Sequence, residues 1–240
     1  MGPPAAASRA GSGKDDAVPR PRASGRSGSP EELIHALQAQ GIQDPRVVAA
    51  FRATPRARFV PPAAAHLADL DEPIAIPHGQ VTTQPSLIAR MVQALRLTGT
   101  ERVLEVGTGL GFQTAILALL AREVVSVERF ADLAEQARAN LAAAGFGRVT
   151  VVVGDGTLGV PKHAPFHAIV VAAASPRIPQ PLVEQLAPQG RLVHPVGPGG
   201  REVVTAFHKQ GGRLVADAQL TPARFVPLVG GHAAPEQEPG

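Results

Sequence analysis

The sequence predicts a doubly wound α/β fold, in which a mostly parallel sheet is covered by helices on both faces. Between residues 101 and 200, runs of Val, Ile and Leu about five to seven residues long alternate with helical segments. Continuous apolar runs of this length are typical of parallel strands, which are buried on both faces. The repeated order of strand and helix is the second observation, because parallel neighbours need a crossover connection.

Helices are predicted before this region. Ser29, Pro30 and Glu32 make the capping box that begins the first one, and the Asp-Pro pair in "DPRVVAAFRATP" begins a second. A third is expected from about Pro85 to Arg96, directly after the polar stretch "PHGQVTTQPS". That stretch therefore joins the N-terminal helices to the predicted sheet.

The predicted strands follow in order as "RVLEVG", "EVVSVE", "VTVVVGD", "HAIVVAAA" and "RLVHPVG". The helices among them are "FQTAILALLA", "FADLAEQARANLAAAG" and "PQPLVEQLAPQG". After Gly200, "EVVTAFHK" and "RLVADAQLTPARFVPLVG" alternate more clearly and are separated by a Gly-Gly turn. These two segments predict an antiparallel strand pair at the C-terminal end of the sheet.

We expect one domain between two flexible tails, because the tails lack hydrophobic periodicity. The "GSGK" stretch in the first tail has no strand before it and is not expected to bind phosphate. The predicted boundaries are a tail over 1–28, the domain over 29–230 and a tail over 231–240. The domain is divided into N-terminal helices with a lid over 29–100, a ligand-binding core over 101–200 and C-terminal strands over 201–230.

Composition restricts the possible functions. The chain has 240 residues, a formal charge of +3 and no cysteine, which excludes disulfides and thiolate metal sites. Several of its positive charges lie in the first tail and no aromatic residues interleave with a basic stripe, so we expect no nucleic-acid partner. With no long apolar run, we expect no membrane segment and a cytoplasmic, monomeric protein. His163 and His167 have the spacing of a helical metal-binding pair, but Pro165 lies between them, so no metal site is predicted.

The stretch "LEVGTGLGFQT" follows a strand and opens a helix, where doubly wound sheets bind their ligands. Its glycine spacing differs from the dinucleotide fingerprint, and Glu105 would repel a pyrophosphate. An acid beside a glycine loop suits a ligand with a cationic amino group, such as S-adenosylmethionine. We therefore predict that Glu105, Gly107, Thr108, Gly109 and Gly111 bind this cofactor.

Two more acids end the next two strands. Glu128 closes "VVSVE", where a doubly wound fold places an acid that accepts both ribose hydroxyls. Asp155 and Gly156 lie in "GDG" after the following strand, where they are expected to meet the adenine. The alternatives are a helix-starting acid for Glu128 and a plain turn for Asp155.

Taken together, "PHGQVTTQPSLIARM", "VLEVGTGLGFQTAILA", "VVSVER", "VGDG" and the terminal "RFVPL" resemble the protein-L-isoaspartate O-methyltransferase family. The resemblance covers about residues 30 to 229 and implies a class I methyltransferase fold that uses S-adenosylmethionine. The implied substrate is the free carboxylate of isoaspartyl residues in damaged proteins, whose methyl ester closes to a succinimide and so begins repair. An ionised carboxylate needs no general base to attack the methyl group.

The resemblance assigns catalysis to Thr83, which occupies the position of the family's active-site Ser, and substrate binding to Thr82 and Thr83. The usual Thr, Ile and Ser are here Val81, Thr82 and Thr83, which leaves kinetic competence open. The alternative for Thr83 or Gln84 is a cap on the helix that follows. For the whole chain, the alternatives are a relative that methylates one dedicated biosynthetic peptide and a non-catalytic module that binds S-adenosylmethionine.

Overall fold

A seven-stranded sheet forms the centre of the computed structural model, which describes residues 28–198 and 200–233 together with Gly2. Its strand order is β5-β4-β3-β6-β7-β8-β9. The strands are β3 (Arg102–Val106), β4 (Glu123–Glu128), β5 (Thr150–Val153), β6 (Phe166–Val171), β7 (Leu186–Val196), β8 (Glu202–Gln210) and β9 (Arg213–Ala223). A separate hairpin is made of β1 (Ile74–Ile76) and β2 (Gln80–Thr82).

Six α-helices accompany the strands. They are α1 (Pro30–Ala39), α2 (Pro45–Ala53), α3 (Pro85–Ala94), α4 (Phe112–Leu120), α5 (Ala131–Ala143) and α6 (Gln180–Gln185). The predicted capping box at the start of α1 is present, since Ser29 and Glu32 exchange hydrogen bonds. Asp44 caps α2 by accepting a hydrogen bond from the backbone N–H of Arg46 at 2.8 Å.

The sheet confirms the predicted fold class. Strands β3 to β7 run parallel to their neighbours, whereas β8 pairs antiparallel with both β7 and β9. Val103, Leu104 and Val106 of β3 are buried, as expected for a central strand covered on both faces. One apolar cluster unites the first four helices with one face of the sheet, and a second lies on the other face.

The sequence-based boundary of the last helix was wrong. The stretch "PQPLVEQLAPQG" was predicted as helix, but α6 ends at Gln185 and β7 begins at Leu186. Leu186 is already the strand partner of Phe166, and the register then shifts before Ala168 pairs with Arg191. Pairing with β6, which local sequence does not reveal, therefore outweighs the helical pattern.

Three further findings concern the β1–β2 hairpin, the two tails and the possibility of a membrane-spanning helix. The hairpin formed by β1 and β2 was not predicted, since "PHGQVTTQPS" was interpreted as a polar loop. Most of the predicted N-terminal tail, with "GSGK", lies outside the described residues, as do residues 234–240. No helix in the described ranges combines the length and the apolar content that crossing a bilayer requires.

Candidate active site

A cavity of about 110 Å³, partly open to solvent, lies between the β1–β2 hairpin and the carboxyl ends of β3, β4 and β5. Seven of the sequence-predicted residues line it: Thr82, Thr83, Gly107, Thr108, Gly109, Glu128 and Gly156. The parallel arrangement explains why residues from successive strand ends meet, because these ends share one edge of the sheet. The structure thus brings most of the predicted site together.

The glycine loop forms the cavity floor at the end of β3. The backbone N–H of Gly107 donates to the Val127 carbonyl at 2.9 Å, which fixes the loop to β4. Gly111 lies outside the cavity, at the start of α4, in the left-handed region with φ +96°. A Cβ there would lie only 3.1 Å from Leu141, so this glycine allows α5 to approach rather than contacting a ligand.

Glu128 presents a carboxylate at the cavity wall. It is 5% exposed, accepts from the Gly109 N–H at 2.9 Å through Oε2, and accepts from the Phe130 N–H at 3.1 Å through Oε1. Each carboxylate oxygen can accept more than one hydrogen bond, so both retain capacity for a ligand. These contacts also hold the side chain in one orientation beside the glycine loop.

Glu105 has a different position from the one the sequence suggested. It is fully buried and is absent from the cavity lining. Its carboxylate accepts from Thr114 Oγ1 at 2.5 Å, Ser126 Oγ at 2.6 Å and Gln113 Nε2 at 3.0 Å. Burial raises the pKa of Glu105 to about 7, although these three hydrogen bonds oppose the shift. We therefore interpret Glu105 as a support beneath the site.

The support reaches the glycine loop through hydroxyl groups. Thr108 Oγ1 and Ser126 Oγ are 2.5 Å apart. When Glu105 is ionised, the Ser126 hydroxyl donates its single proton to the carboxylate, and Thr108 is then the donor to Ser126. A continuous buried network therefore connects the loop that lines the cavity to the carboxylate below it.

Asp155, like Glu105, does not line the cavity, although its neighbour Gly156 does. The Asp155 carboxylate accepts from the backbone N–H and the hydroxyl of Thr157 at 2.8 and 2.7 Å, and from the Gly231 N–H at 2.7 Å. Burial raises its pKa, but these hydrogen bonds outweigh burial and the net shift is downward. Only Gly156 lines the cavity, and a Cβ there would lie 2.5 Å from Val106. The predicted turn alternative thus describes the Asp155 side chain.

The C-terminal segment completes this wall. Gly231 and His232, which the sequence placed in a flexible tail, donate backbone hydrogen bonds to Asp155 and Thr157. Val226 to Val229 line the cavity, and nearby the Ala174 N–H donates to the Val226 carbonyl while the Ala174 carbonyl accepts from the Leu228 N–H. The terminal "RFVPL" motif, noted in the sequence without a structural role, is the signal that could have identified this wall.

Thr82 and Thr83 are positioned by a residue that the sequence reasoning missed. Arg56 is 1% exposed, and its guanidinium donates to Thr82 Oγ1 at 2.7 Å and to the Thr83 carbonyl at 3.3 Å. The same guanidinium donates to the carbonyls of Ala68, Leu70 and Glu72. Burial lowers the pKa of Arg56 to about 10, against the opposing influence of nearby carboxylates. Its only sequence signal is a charged residue within "TPRARFVPP".

The side chain of Thr83 remains available. No residue of the described chain hydrogen-bonds its hydroxyl, and Thr83 lines both the cavity and a second groove beside it. Gln84 occupies the N-cap position of α3, but its side chain makes no cap bond, and the Asp71 carboxylate accepts from the Ser86 N–H at 2.7 Å instead. Asp71 also accepts from the Gln84 side chain at 2.9 Å.

One buried histidine, His194, lies outside the cavity and contacts a serine hydroxyl. His194 is fully buried, its Nε2 lies 2.8 Å from the Ser175 hydroxyl, and desolvation lowers its pKa to about 3. Ser175 in turn donates to the Arg177 carbonyl at 2.6 Å. Within the described residues, no group of three His, Asp or Glu side chains has a metal-binding arrangement.

Comparison with known proteins identifies relatives over nearly the whole described chain. One curated relative, a protein-L-isoaspartate O-methyltransferase from Methanoculleus marisnigri, is 50% identical over 201 residues, covering 83% of this chain and 91% of the relative. Another protein of the same name, from Methanoregula boonei, is 47% identical over 194 residues, covering 81% and 89%.

Solved structures agree in fold. A protein-L-isoaspartate O-methyltransferase structure superposes with a TM-score of 0.76 at 28% identity, covering 85% of this chain and 67% of the other. A Plasmodium falciparum structure, named a beta-aspartate methyltransferase (PCMT) in complex with S-adenosyl-L-homocysteine, has a TM-score of 0.74 at 22% identity, covering 85% and 99%.

The profile of one family matches residues 28–233, which include the cavity, the hairpin and the C-terminal wall. With relatives near 50% identity over more than four-fifths of both chains, the assignment rests on sequence as well as on fold. The chain belongs to the protein-L-isoaspartate(D-aspartate) O-methyltransferase (PCMT) family.

Proposed function

We propose that this chain is an enzyme that transfers the methyl group of S-adenosylmethionine to the free carboxylate of L-isoaspartyl residues in damaged proteins. The methyl ester formed would close to a succinimide and so begin repair. The observation that carries the proposal is one cavity lined by Glu128 and the glycine loop on one side and by Thr83 on the other. Family membership and the identity of the relatives support the same activity.

The residues of the cavity fit this cofactor. Glu128 offers carboxylate oxygens suited to a pair of ribose hydroxyls, and the backbone of Gly156 lines the same cavity. When bound, S-adenosylmethionine supplies a methyl group on a positively charged sulfur. Arg129 is the one Lys or Arg among the described lining residues, and its guanidinium lies 4.9 Å from the Phe130 ring. The wall therefore lacks the cluster of cations that a phosphate ligand would need.

On the substrate side, Thr83 is where the cavity meets the second groove. Its free hydroxyl can donate to one oxygen of the substrate carboxylate and leave the other oxygen facing the methyl group. Since a carboxylate is ionised at neutral pH, the residue orients the nucleophile and does not deprotonate it. The Thr82 hydroxyl differs in that it accepts from the buried Arg56 guanidinium, which holds it in place. We propose that Thr82 fixes the loop and that Thr83 contacts substrate.

The direct test compares one peptide that contains isoaspartate with its aspartate twin, using S-adenosylmethionine labelled in the methyl group. We expect label in the isoaspartyl peptide alone. Label in both peptides would exclude a repair enzyme, and label in neither would exclude the proposed activity. A relative dedicated to one biosynthetic peptide would methylate that peptide and leave unrelated isoaspartyl peptides unlabelled.

Thr83 is tested by Thr83→Ala and Thr83→Ser. Loss of the hydroxyl should lower kcat by about 10- to 100-fold, because an orienting contact is lost, and should leave cofactor affinity within about twofold. Thr83→Ser keeps the donor and should retain most of the activity. Steady-state kinetics and calorimetric titration with S-adenosyl-L-homocysteine provide the two readouts. Full activity of Thr83→Ala would refute the role. Cofactor binding by a chain that methylates no peptide, with or without the Thr83 hydroxyl, would favour a binding module.

We further propose that the enzyme works as a monomer in the cytoplasm, without nucleic-acid partners. The absence of cysteine supports a reducing compartment, and no Lys- or Arg-rich stripe with aromatic residues appears in the sequence. Sedimentation of the purified full chain at micromolar concentration would test the oligomeric state directly.

A further inference from the structure

The tip of the β1–β2 hairpin is fastened to the start of α5. His78 Nε2 lies 2.7 Å and 2.9 Å from the two carboxylate oxygens of Asp132. The imidazole also lies flat on the Phe130 ring, with centroids 4.1 Å apart and planes 4° from parallel. One side chain thus makes a polar and an aromatic contact with the same turn of the chain.

These contacts cross the mouth of the cofactor cavity. The hairpin contributes Ile76, Gln80 and Val81 to one side of the cavity, and the other side includes Glu128 and Leu133. Ile76 additionally packs in an apolar cluster with Leu133. Fixing the hairpin tip to the start of α5 therefore keeps the hairpin over the acid that we assign to the ribose.

The turn itself does not require a histidine. His78 has φ +62° and the following Gly79 has φ +66°, a left-handed pair in which Asn or Gly fits with less strain. The side chain of Gln80 supports the turn by donating to the His78 carbonyl at 3.1 Å. The imidazole at this position is therefore explained by what its side chain contacts.

The fastening is weak enough to open. The side chains of His78 and Asp132 are 37% and 63% exposed, and an exposed pair of this kind contributes little to global stability. A reversible contact is what a cofactor site needs, because the ligand must enter and its product must leave. Closure of the hairpin would exclude water and slow ligand release.

We propose that His78, Phe130 and Asp132 form a latch that holds the β1–β2 hairpin closed and retains the cofactor. The inference rests on the proposed function for the identity of the ligand, whereas the latch itself is a property of the chain alone. His78 acts as a positioning residue, since it does not line the cavity.

Asp132 supplies the charge in the latch. The hydrogen bond with His78 lowers the pKa of Asp132, so this carboxylate stays ionised to lower pH than an ordinary aspartate. The imidazole therefore keeps an ionised partner throughout the neutral pH range.

The experiment uses His78→Asn, Asp132→Asn and the double variant of the full chain. Asn suits the left-handed backbone of position 78 but is too short to reach Asp132 or cover Phe130. His208→Asn is the matched control, because His208 pairs with Asp217 at 2.6 Å on β8 and β9, away from the cavity. Two readouts are needed: amide hydrogen exchange of residues 74–82 without ligand, and the rate of dissociation of S-adenosyl-L-homocysteine.

We expect hairpin exchange and ligand dissociation to become about three- to tenfold faster in His78→Asn, with His208→Asn unchanged. The double variant should be no faster than the more affected single variant. Unchanged hairpin exchange in His78→Asn would overturn the latch. Faster exchange with an unchanged dissociation rate would overturn its role in ligand retention.

These outcomes stay distinct from a failure of the proposed function. If the unmodified chain bound neither S-adenosylmethionine nor S-adenosyl-L-homocysteine, the proposed cofactor would be wrong. Hydrogen exchange in the ligand-free chain would still decide whether His78 fastens the hairpin.

Discussion

The floor of the cavity is the glycine loop, and its roof is the β1–β2 hairpin together with Thr83. Each depends on a buried charged residue, but the two charged residues have different hydrogen-bond partners. Below the glycine loop, Glu105 accepts only from side chains, which belong to β4 and α4. Behind the hairpin, Arg56 donates mainly to backbone carbonyls of the irregular segment 68–72 and to Thr82 and Thr83.

The difference reflects how each region satisfies its backbone. Strands β3 and β4 pair with each other, so their peptide groups need no help and a side chain can adjust the loop. In the described part of the chain, no strand pairs with residues 68–72, and buried carbonyls without donors are costly. The Arg56 guanidinium donates to the carbonyls of Ala68, Leu70 and Glu72, and it also holds the end of the hairpin through Thr82 and Thr83.

The largest expected effect comes from breaking the roof. Arg56→Met should lower the free energy of unfolding by about 3 to 5 kcal/mol, because buried carbonyls and the Thr82 hydroxyl lose their donor. Urea unfolding measures the change. Arg52→Met is the matched control, since Arg52 forms an exposed pair with Glu31 and should change stability by about 0.5 kcal/mol or less. Equal effects of the two substitutions would contradict the contrast.

The floor is tested through its pH dependence. The pKa of Glu105 is about 7 in the folded chain and lies near 4.5 in an unfolded one, so the folded state binds this proton more tightly. Stability from this group is present below pH 4.5 and is lost as pH rises through 7, by roughly 2 to 3 kcal/mol between pH 5 and pH 8.

Glu105→Gln cannot ionise and should remove this slope, while Glu123→Gln on β4 should keep it. The measurement is urea unfolding of the three proteins at several values of pH. A slope in Glu105→Gln equal to that of the unmodified chain would show that another group controls the pH response.

The smallest effect sharpens the division between Thr82 and Thr83. Thr82→Val keeps the shape of the side chain but leaves one Arg56 N–H without its acceptor, which should cost about 1 to 2 kcal/mol. In the Arg56→Met background the same change should cost almost nothing, because the partner is already absent. Additive effects in this double-mutant cycle would mean that the contact contributes little.

Much of the fold could be predicted because its signals are local. Apolar runs of strand length, the capping box at Ser29 and the Asp-Pro start of α2 depend on residues within one turn or one strand. The hairpin and the true end of α6 could not be predicted, since both depend on strand pairing. Of the site, the cavity-lining glycines and Glu128 follow from the rule that ligands bind at the carboxyl ends of parallel strands.

The sequence alone determined the order of the strands along the chain, the positions of the glycine loop and acids at strand ends, and the hydroxyls of the hairpin. The tertiary structure alone decided which groups face the cavity. Glu105 turned inward because Thr114 and Ser126 supply donors from α4 and β4, and the Thr82 hydroxyl at the cavity wall is held by Arg56, 26 residues earlier. Such choices depend on contacts between distant segments, and a local pattern cannot contain them because burial makes each polar group seek whichever partner the fold brings near.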